Sequence, residues 1–153
     1  MKIFLGGIIQ GSNVGSEICN QNYREQIKNI LRKKYPDVEI FDPFEDHRHS
    51  VNYDDAQARR TFSMHLDELK SSDLMIAYLP QASLGTAIEM WEACRNGVPI
   101  VSISPLTTNW IVRFLTDKNF ETIDSFEIFV IKNDLRKLFN RDQGHYRKIG
   151  EKV

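Results

Sequence analysis

Short apolar runs alternate with amphipathic segments along this chain, and that alternation limits its fold more than any other feature. The runs cover residues 3–5, 38–41, 74–79, 99–103 and 126–131, and turn residues follow each. Two intervening segments place apolar residues at helical spacing, namely Tyr23, Ile27, Ile30 and Leu31, then Ala58, Phe62, Leu66 and Leu69. Five strands alternating with helices predict an α/β fold whose parallel sheet is covered on both faces.

We expect one doubly wound domain of flavodoxin-like type, with the five parallel strands in the order 2-1-3-4-5. The expected domain covers residues 1–141, and residues 142–153 form a polar C-terminal tail. In this order the switch point lies between strands one and three, so the loops after those two strands meet in one crevice.

The segment 73–97 carries the best candidate for chemistry. Residues 73–79 form an apolar run bounded by Pro80, which predicts a central strand, and residues 86–95 predict a helix that ends at Asn96-Gly97. Glu89 then lies in the first helical turn, beside the crevice where open α/β sheets bind ligands. The alternative is structural, because Thr86 and Glu89 also fit the spacing of a helix capping box.

The charge balance excludes some classes of partner. The chain of 153 residues has 20 basic and 21 acidic side chains, a net charge of −1, which predicts neither a nucleic-acid polymer nor an anionic membrane as partner. No apolar run approaches the ~20 residues of a membrane span. Two cysteines indicate no disulfide framework, so we expect a soluble, cytoplasmic protein. The basic cluster at 28–34 and the polar residues 20–22 are interpreted as a solvated helix face.

Two long loops, 8–16 and 42–54, flank the predicted crevice and are candidate substrate walls or lids. Gly6 and Gly7 begin a segment, 6–12, that lacks the dinucleotide fingerprint and the lysine of a phosphate-binding loop, so a tight turn remains the alternative. His47 and His49 lie in the second loop without a third ligand. We therefore expect neither a metal nor a cofactor.

Residues 3–7, 72–77, 85–89 and 97–100 together resemble the nucleoside 2-deoxyribosyltransferases and the related N-glycoside hydrolases that cleave nucleoside 5′-monophosphates. The resemblance implies a small-molecule nucleoside or nucleotide substrate. It also implies that Glu89 attacks the anomeric carbon of the sugar, releases the base and holds the sugar as an ester. Water as acceptor gives hydrolysis, and a second base gives transfer. A helix N-terminus favours the ionised carboxylate that such a nucleophile requires.

The resemblance also implies the surroundings of Glu89. Ser83 matches the position at which the phosphate-specific members carry serine, so Ser83 with the Gly85 and Thr86 amides is expected to bind a 5′-phosphate. A helix N-cap is the alternative role of Ser83. Asn109 matches a position that reaches the neighbouring subunit's substrate, which implies a homodimer or higher homo-oligomer.

Three residues depart from the family pattern. Gln10 stands where the monophosphate hydrolases usually have arginine, and Phe4 stands where tyrosine is frequent. Gly6, Gly7 and Gln10 are expected to form the floor around base and sugar, and Phe4 is a further expected substrate-binding residue. His65 aligns with a usual aspartate and is the expected acid or base, since imidazole exchanges protons near neutral pH. A hydrogen-bonded core histidine is its alternative.

Two other functions stay open at this point. The first is a non-catalytic nucleotide-binding module that has lost the aspartate at position 65. The second is a flavodoxin-like phosphoacceptor domain, which is disfavoured because no acidic cluster ends the first predicted strand.

Overall fold

The computed structural model describes residues 1–138, which form one sheet of five parallel strands with helices on both faces. The strand order is β2-β1-β3-β4-β5, so the predicted flavodoxin-like topology is confirmed. The strands are β1 Lys2–Gly7, β2 Glu39–Phe41, β3 Leu74–Tyr78, β4 Ile100–Ile103 and β5 Lys118–Phe120. The helices are α1 Asn22–Lys34, α2 Asp55–Lys70, α3 Leu84–Arg95, α4 Trp110–Leu115 and α5 Ile123–Lys132, with 3₁₀ turns at Ser50–Asn52 and Leu135–Leu138. The predicted boundary at 141 and the tail 142–153 lie outside the described residues.

Two apolar layers hold the sheet, one on each face. On one face, Ile3 and Leu5 of β1 pack with Ile27 of α1 and Phe126 of α5. On the other, Phe4 of β1 packs in a cluster with residues of α2, α3 and α4. Alternate residues of β1 therefore serve opposite layers, as the two-residue period of a strand requires. This parity places Gly6, like Phe4, on the α3 side of the sheet.

The fifth strand is not where the sequence predicted it. The run 126–131 belongs to α5, whereas β5 is the shorter stretch Lys118–Phe120 at the edge of the sheet. Thr122 caps the helix: its hydroxyl accepts from the Ser125 amide, and the Ser125 hydroxyl accepts from the Thr122 amide. Phe126 and Val130 then fall on one buried helical face at a spacing of four. An apolar run of six residues is compatible with a strand or with a helix, and the Thr122–Ser125 capping box indicates a helix.

The predicted apolar face of α2 is only half buried. Leu69 is fully buried and Leu66 packs against the core, but Ala58 and Phe62 are exposed, the latter by 43%. The helix packs on α3, and Ala58 and Phe62 of its first half stay exposed among residues 1–138. The predicted face of α1 is confirmed, since Tyr23, Ile27 and Leu31 are buried and Ile30 packs beside them.

The helix that carries Glu89 begins two residues earlier than predicted, at Leu84, and ends at Arg95 as expected. Gly97 follows with a φ of +72°, the left-handed conformation that glycine adopts most easily after a helix. In residues 1–138, no helix is long and apolar enough to cross a membrane.

Candidate active site

The site lies where the parallel strands end, because the register of the sheet brings their carboxyl ends together. Gly6 and Gly7 of β1 lie opposite Ala77 and Tyr78 of β3. The chain after β1 stays attached there, since the Ile8 amide donates to the Tyr78 carbonyl at 3.2 Å. The loops that follow β1 and β3 therefore start side by side, as expected for a switch point.

Glu89 extends from the second turn of α3 towards the end of β1. A Cβ atom built on Gly6 would lie 2.9 Å from Glu89 Oε2 and 2.8 Å from Met75 Cε. Gly6 thus lets the carboxylate approach the strand backbone, a close approach that a larger residue would obstruct. The predicted proximity of Gly6 and Glu89 is present in the structure.

The capping alternative for Glu89 is wrong. Ser83, not Thr86, is the N-cap of α3: its hydroxyl accepts from the Thr86 amide at 3.4 Å and contacts the Thr86 hydroxyl at 3.0 Å. Thr86 is the third helical residue, so Glu89 lies too far along the helix to cap its first turn. The alternative role of Ser83 as N-cap is confirmed. The Glu89 side chain is therefore not required to form the helix end.

Burial raises the pKa of Glu89 to about 8, while the positive charge of Arg24 opposes that rise. The sequence predicts that the helix N-terminus keeps the carboxylate ionised, but Glu89 is in the second turn of α3, beyond the first turn on which a helix dipole acts most strongly. Its partial removal from water favours the protonated carboxyl group instead.

Arg24 forms a buried charge beneath the site. Its guanidinium donates to the carbonyl oxygens of Leu5 at 3.1 Å and Gly7 at 3.3 Å, to Asp42 Oδ1 at 2.7 Å, and to Gln21 Oε1 at 2.7 Å. Arg24 and Asp42 are almost completely buried. The guanidinium thus links the end of β1, the start of α1 and the loop after β2.

Lys28 completes this ionic cluster. Its ammonium group lies 2.8 Å from Asp42 Oδ2 and 2.9 Å from Glu45 Oε2, and only 3% of its side chain is exposed. The prediction that 28–34 is a solvated face is wrong at its first residue. Arg24 and Lys28 are four residues apart and flank the buried Ile27. That spacing of basic residues on the buried side of α1 is the sequence signal for Arg24.

Ser83 and Asn109 line one cavity of about 340 Å³. Gly11 and Ser12 of the first long loop form another part of its wall, and Leu84 of α3 contributes apolar surface. Asn109 caps α4, because its Oδ1 accepts from the Ile111 amide at 2.9 Å. The structure therefore brings Ser83 and Asn109 together within one chain. Gly85 is exposed, and a Cβ atom built on it would meet no atom of residues 1–138 within 4 Å beyond its own helix backbone.

The remaining predicted residues serve the site less directly. Phe4 has no exposed surface and stacks on Phe41 at 5.6 Å, so it supports the site from the layer below. The Gln10 amide donates to the Gly15 carbonyl and closes the turn of its own loop. Gly7 faces Tyr23, whose hydroxyl would lie 2.6 Å from a Cβ at that position. These residues shape the loops around Glu89.

His65 lies on α2, with its ring 5.8 Å from that of Phe41 and 5.2 Å from that of His47. Burial lowers the pKa of His65 to about 4, and His47 acts in the same direction. A neutral imidazole at this position is not an efficient proton donor at pH 7. Among residues 1–138, no group of three His, Cys, Asp or Glu side chains is arranged to hold a metal ion.

Comparison with known proteins agrees with the fold and identifies the family. The family model described as nucleoside 2-deoxyribosyltransferase like matches residues 1–106. The chain belongs to this family. The family description indicates the class of activity, which is glycosyl transfer of the nucleoside deoxyribosyltransferase type. No curated protein matches the chain significantly.

Two solved structures resemble this member of the nucleoside 2-deoxyribosyltransferase-like family over most of its length. A 2-deoxyribosyltransferase from Bacillus psychrosaccharolyticus has 19% identity and a TM-score of 0.65, covering 90% of this chain and 96% of its own. A conserved protein from Enterococcus faecalis V583 has 16% identity and a TM-score of 0.61, covering 86% of this chain and 97% of its own. At these identities the likeness supports the shared fold.

The raised pKa of Glu89 predicts that this residue destabilises the fold as the pH rises. The unfolded chain ionises Glu89 near its ordinary value of 4.5, whereas the folded protein keeps the proton up to about 8. The contribution of Glu89 to the free energy of unfolding is therefore fully present below pH 4.5 and is lost progressively as the pH rises to 8. We expect Glu89→Gln to increase the free energy of unfolding at pH 8 by roughly 2 kcal/mol, with no gain at pH 4.5.

Urea denaturation of both proteins across this pH range measures the difference. Glu92→Gln is the matched control, because Glu92 is on the same helix and partly exposed. It should change the free energy of unfolding by less than about 0.5 kcal/mol at every pH. A Glu89→Gln difference that stays constant from pH 4.5 to pH 9 would contradict the assignment.

Proposed function

We propose that this protein cleaves the N-glycosidic bond of a nucleoside or nucleoside 5′-monophosphate, with Glu89 as the nucleophile. Family membership supports the class of reaction. The approach of Glu89 Oε2 to the backbone of Gly6, at the carboxyl ends of the central strands, is the observation that carries the residue assignment. A partly buried carboxyl group that has a raised pKa and no capping role is a typical candidate for catalysis.

The proposed reaction proceeds in two displacements. Glu89 forms a bond to the anomeric carbon while the carbon–nitrogen bond breaks, and the base leaves with that electron pair and takes up a proton. Water or a second base then attacks the anomeric carbon and loses a proton, and the Glu89 carboxylate leaves. The two steps replace one difficult displacement, and the carboxylate also stabilises the oxocarbenium-like transition states.

The nucleophile has to be ionised, and burial opposes ionisation in the free protein. Arg24 supplies the compensating positive charge, since it lowers the pKa of Glu89 through the electrostatic field. We therefore expect kcat/KM to rise with pH through about 8, because this parameter reports on the free enzyme.

The cavity beside Ser83 supports a phosphorylated substrate. Its wall has hydroxyl groups from Ser12 and Ser83 and an amide from Asn109, and among residues 1–138 it has no acidic side chain that would repel a phosphate. Ser83 caps α3, and the N-terminus of a helix favours an anion. We retain Gly85 and Thr86 as proposed contacts, with Gly6, Gly7, Gln10 and Phe4 forming or supporting the floor.

Asn109 precedes an exposed aromatic surface on α4, where Trp110 is 73% exposed. We propose a homodimer or higher homo-oligomer in which Asn109 lies near a neighbouring site, as the family resemblance implies. Our proposal for the place of action is the cytoplasm.

The second candidate function is a nucleotide-binding module without catalytic activity. The neutral His65 at the position of the usual aspartate favours it, since no strong acid then faces the leaving base. Binding without turnover would be its signature, measured as thermal stabilisation by nucleotides.

The proposed function is tested by measuring the release of free base. The protein is incubated with a panel of ribo- and deoxyribonucleosides and their 5′-monophosphates, and the products are separated by chromatography. We expect the wild type to release free base from at least one substrate, and Glu89→Gln to lower that rate at least 1000-fold, because the nucleophile is lost. Equal release by the two proteins would reject Glu89 as nucleophile. Nucleotide binding by a wild type that releases no base would favour the second candidate.

A pair of capping variants tests the 5′-phosphate contact. Asp and Asn both cap helices well, so Ser83→Asp and Ser83→Asn should preserve α3. We expect Ser83→Asp to lower kcat/KM for a 5′-monophosphate by at least tenfold relative to Ser83→Asn, because it adds a negative charge beside the phosphate. For the corresponding nucleoside the two variants should differ much less. An equal loss for both substrates would contradict the phosphate assignment.

A further inference from the structure

Lys28 of α1 brings a positive charge into the interior of the protein. Only 3% of its side chain is exposed. Burial alone would lower the pKa of this ammonium group, but hydrogen bonds to Asp42 and Glu45 outweigh burial and raise it. Lysine is almost never buried unless its charge is paired. Lys28 therefore keeps its charge over the whole pH range in which a carboxyl group titrates.

The three carboxylates around Lys28 differ in their exposure to water. Asp42 Oδ2 lies 2.8 Å from the Lys28 Nζ atom, and the Asp42 side chain is only 1% exposed. Glu45 and Glu25 lie 2.9 Å and 3.3 Å from the same atom, but 51% and 66% of their side chains are exposed. Water and salt screen exposed charges. Asp42 is therefore the partner through which Lys28 can influence other buried groups.

Asp42 divides its carboxylate between two cations. Its Oδ1 atom lies 2.7 Å from the Arg24 Nη1 atom, and its Oδ2 atom faces Lys28. The Phe44 amide also donates to Oδ1, at 3.0 Å, which holds the carboxylate in this orientation. Two buried positive charges thus share one buried negative charge, so the buried part of the ionic cluster has an excess of one positive charge.

The excess charge lies close to Glu89. The Arg24 guanidinium donates to the carbonyl oxygens of Leu5 and Gly7. Glu89 Oε2 packs against the Cβ position of Gly6, the residue between them. Burial raises the pKa of Glu89, and the charge of Arg24 opposes that rise. An ionised Glu89 would balance the excess charge of the cluster.

Neighbouring titratable groups cannot replace the charge of Arg24 near pH 7. Tyr23 of α1 lies close to Glu89, but burial raises the pKa of its phenol further above the ordinary value of 10. His65, on the neighbouring helix α2, is neutral as well, because burial lowers the pKa of its imidazole to about 4. Among residues 1–138, the charge that acts on Glu89 is therefore that of Arg24.

We propose that Lys28 is a positioning residue for the nucleophile, because it engages one oxygen of Asp42 and so leaves the charge of Arg24 in excess. This inference rests on the proposed function, in which Glu89 attacks the sugar as a carboxylate. Without Lys28, the charge of Asp42 would cancel that of Arg24, and the nucleophile would lie beside a neutral ion pair. Lys28 acts through these two side chains and does not react itself.

The first test follows the titration of Glu89 in the free protein and needs no substrate. Carboxyl resonances of ¹³C-labelled glutamate report its pKa, and Glu89→Gln identifies the signal. We expect Lys28→Met to raise this pKa by on the order of one unit, because it removes a buried positive charge. We expect Asp42→Asn to lower it by a similar amount, since this change removes a negative charge and keeps an oxygen for Arg24. General loosening of the site would instead admit water and lower the pKa in both variants.

Two further variants separate charge from packing. Lys28→Arg keeps the positive charge, and we expect it to leave the pKa of Glu89 close to the wild-type value. Lys33→Met removes an exposed lysine from the same helix and should not change that pKa. A Glu89 pKa that is unchanged or lower in Lys28→Met would overturn the proposal, as would one that is unchanged or higher in Asp42→Asn. If Lys28→Met does not fold, the result with Asp42→Asn decides alone.

The second test measures kcat/KM against pH with the substrate from which the wild type releases base. We expect the rising limb to move to higher pH in Lys28→Met, with about a tenfold loss at pH 7 that is recovered at high pH, and to lower pH in Asp42→Asn. A limb at the wild-type pH in both variants would overturn the role of Lys28 in the reaction. Base release that persists in Glu89→Gln would instead reject the proposed function, and the titration of Glu89 would still decide the effect of the ionic cluster.

Discussion

The buried guanidinium of Arg24 is the interaction on which the arrangement of the site depends. It lies under the end of β1 and donates hydrogen bonds to the carbonyl oxygens of Leu5 and Gly7. Its charge is balanced by Asp42, which in turn is shared with Lys28. Buried ions are tolerated only when paired and hydrogen-bonded, so these three side chains constrain one another. Together they fix the end of β1 relative to α1 and to the loop that carries His47.

Glu89 and Gly6 show how this frame supports chemistry. The glycine removes the side chain that would keep α3 away from β1, and the carboxyl group fills the space next to it. The same closeness shields Glu89 partly from water and raises its pKa, and the positive charge of Arg24 only partly offsets that rise. Holding an ionisable carboxyl group where its charged form is disfavoured lowers the stability of the fold, but it gives the group a defined position. That balance is consistent with a group kept for reaction rather than for folding.

The topology was predictable because it depends on patterns that repeat along the chain. The buried strand before Pro80 and the helix ending before Gly97 were located within two residues, and strand order followed from the α/β alternation. The fifth strand was misplaced because Phe126 and Val130 suit either a strand or a helix, and only the Thr122–Ser125 cap distinguishes them. The exposed half of α2 was also missed, since periodicity indicates which face is apolar but not how much of it is covered.

The sequence proposes site residues but says less about their arrangement. Motifs propose Glu89, Gly6 and Ser83, whereas the ionisation of Glu89 depends on its partial burial, which the sequence does not display. Arg24 was overlooked because charged residues near a helix start usually remain solvated, and its partner Asp42 is remote in sequence. The pairing of His47 with Tyr53 and its contact with His65 depend on the path of a long loop, which no local pattern specifies.

The proposed reaction requires a covalent bond between Glu89 and the sugar. Acid-quenched reaction mixtures, digested and analysed by peptide mass spectrometry, test that bond directly with the best substrate found. We expect a peptide containing Glu89 whose mass is increased by one glycosyl unit, with fragmentation locating the added mass on that side chain. A glycosyl adduct on another residue, formed at a rate that matches turnover, would contradict it.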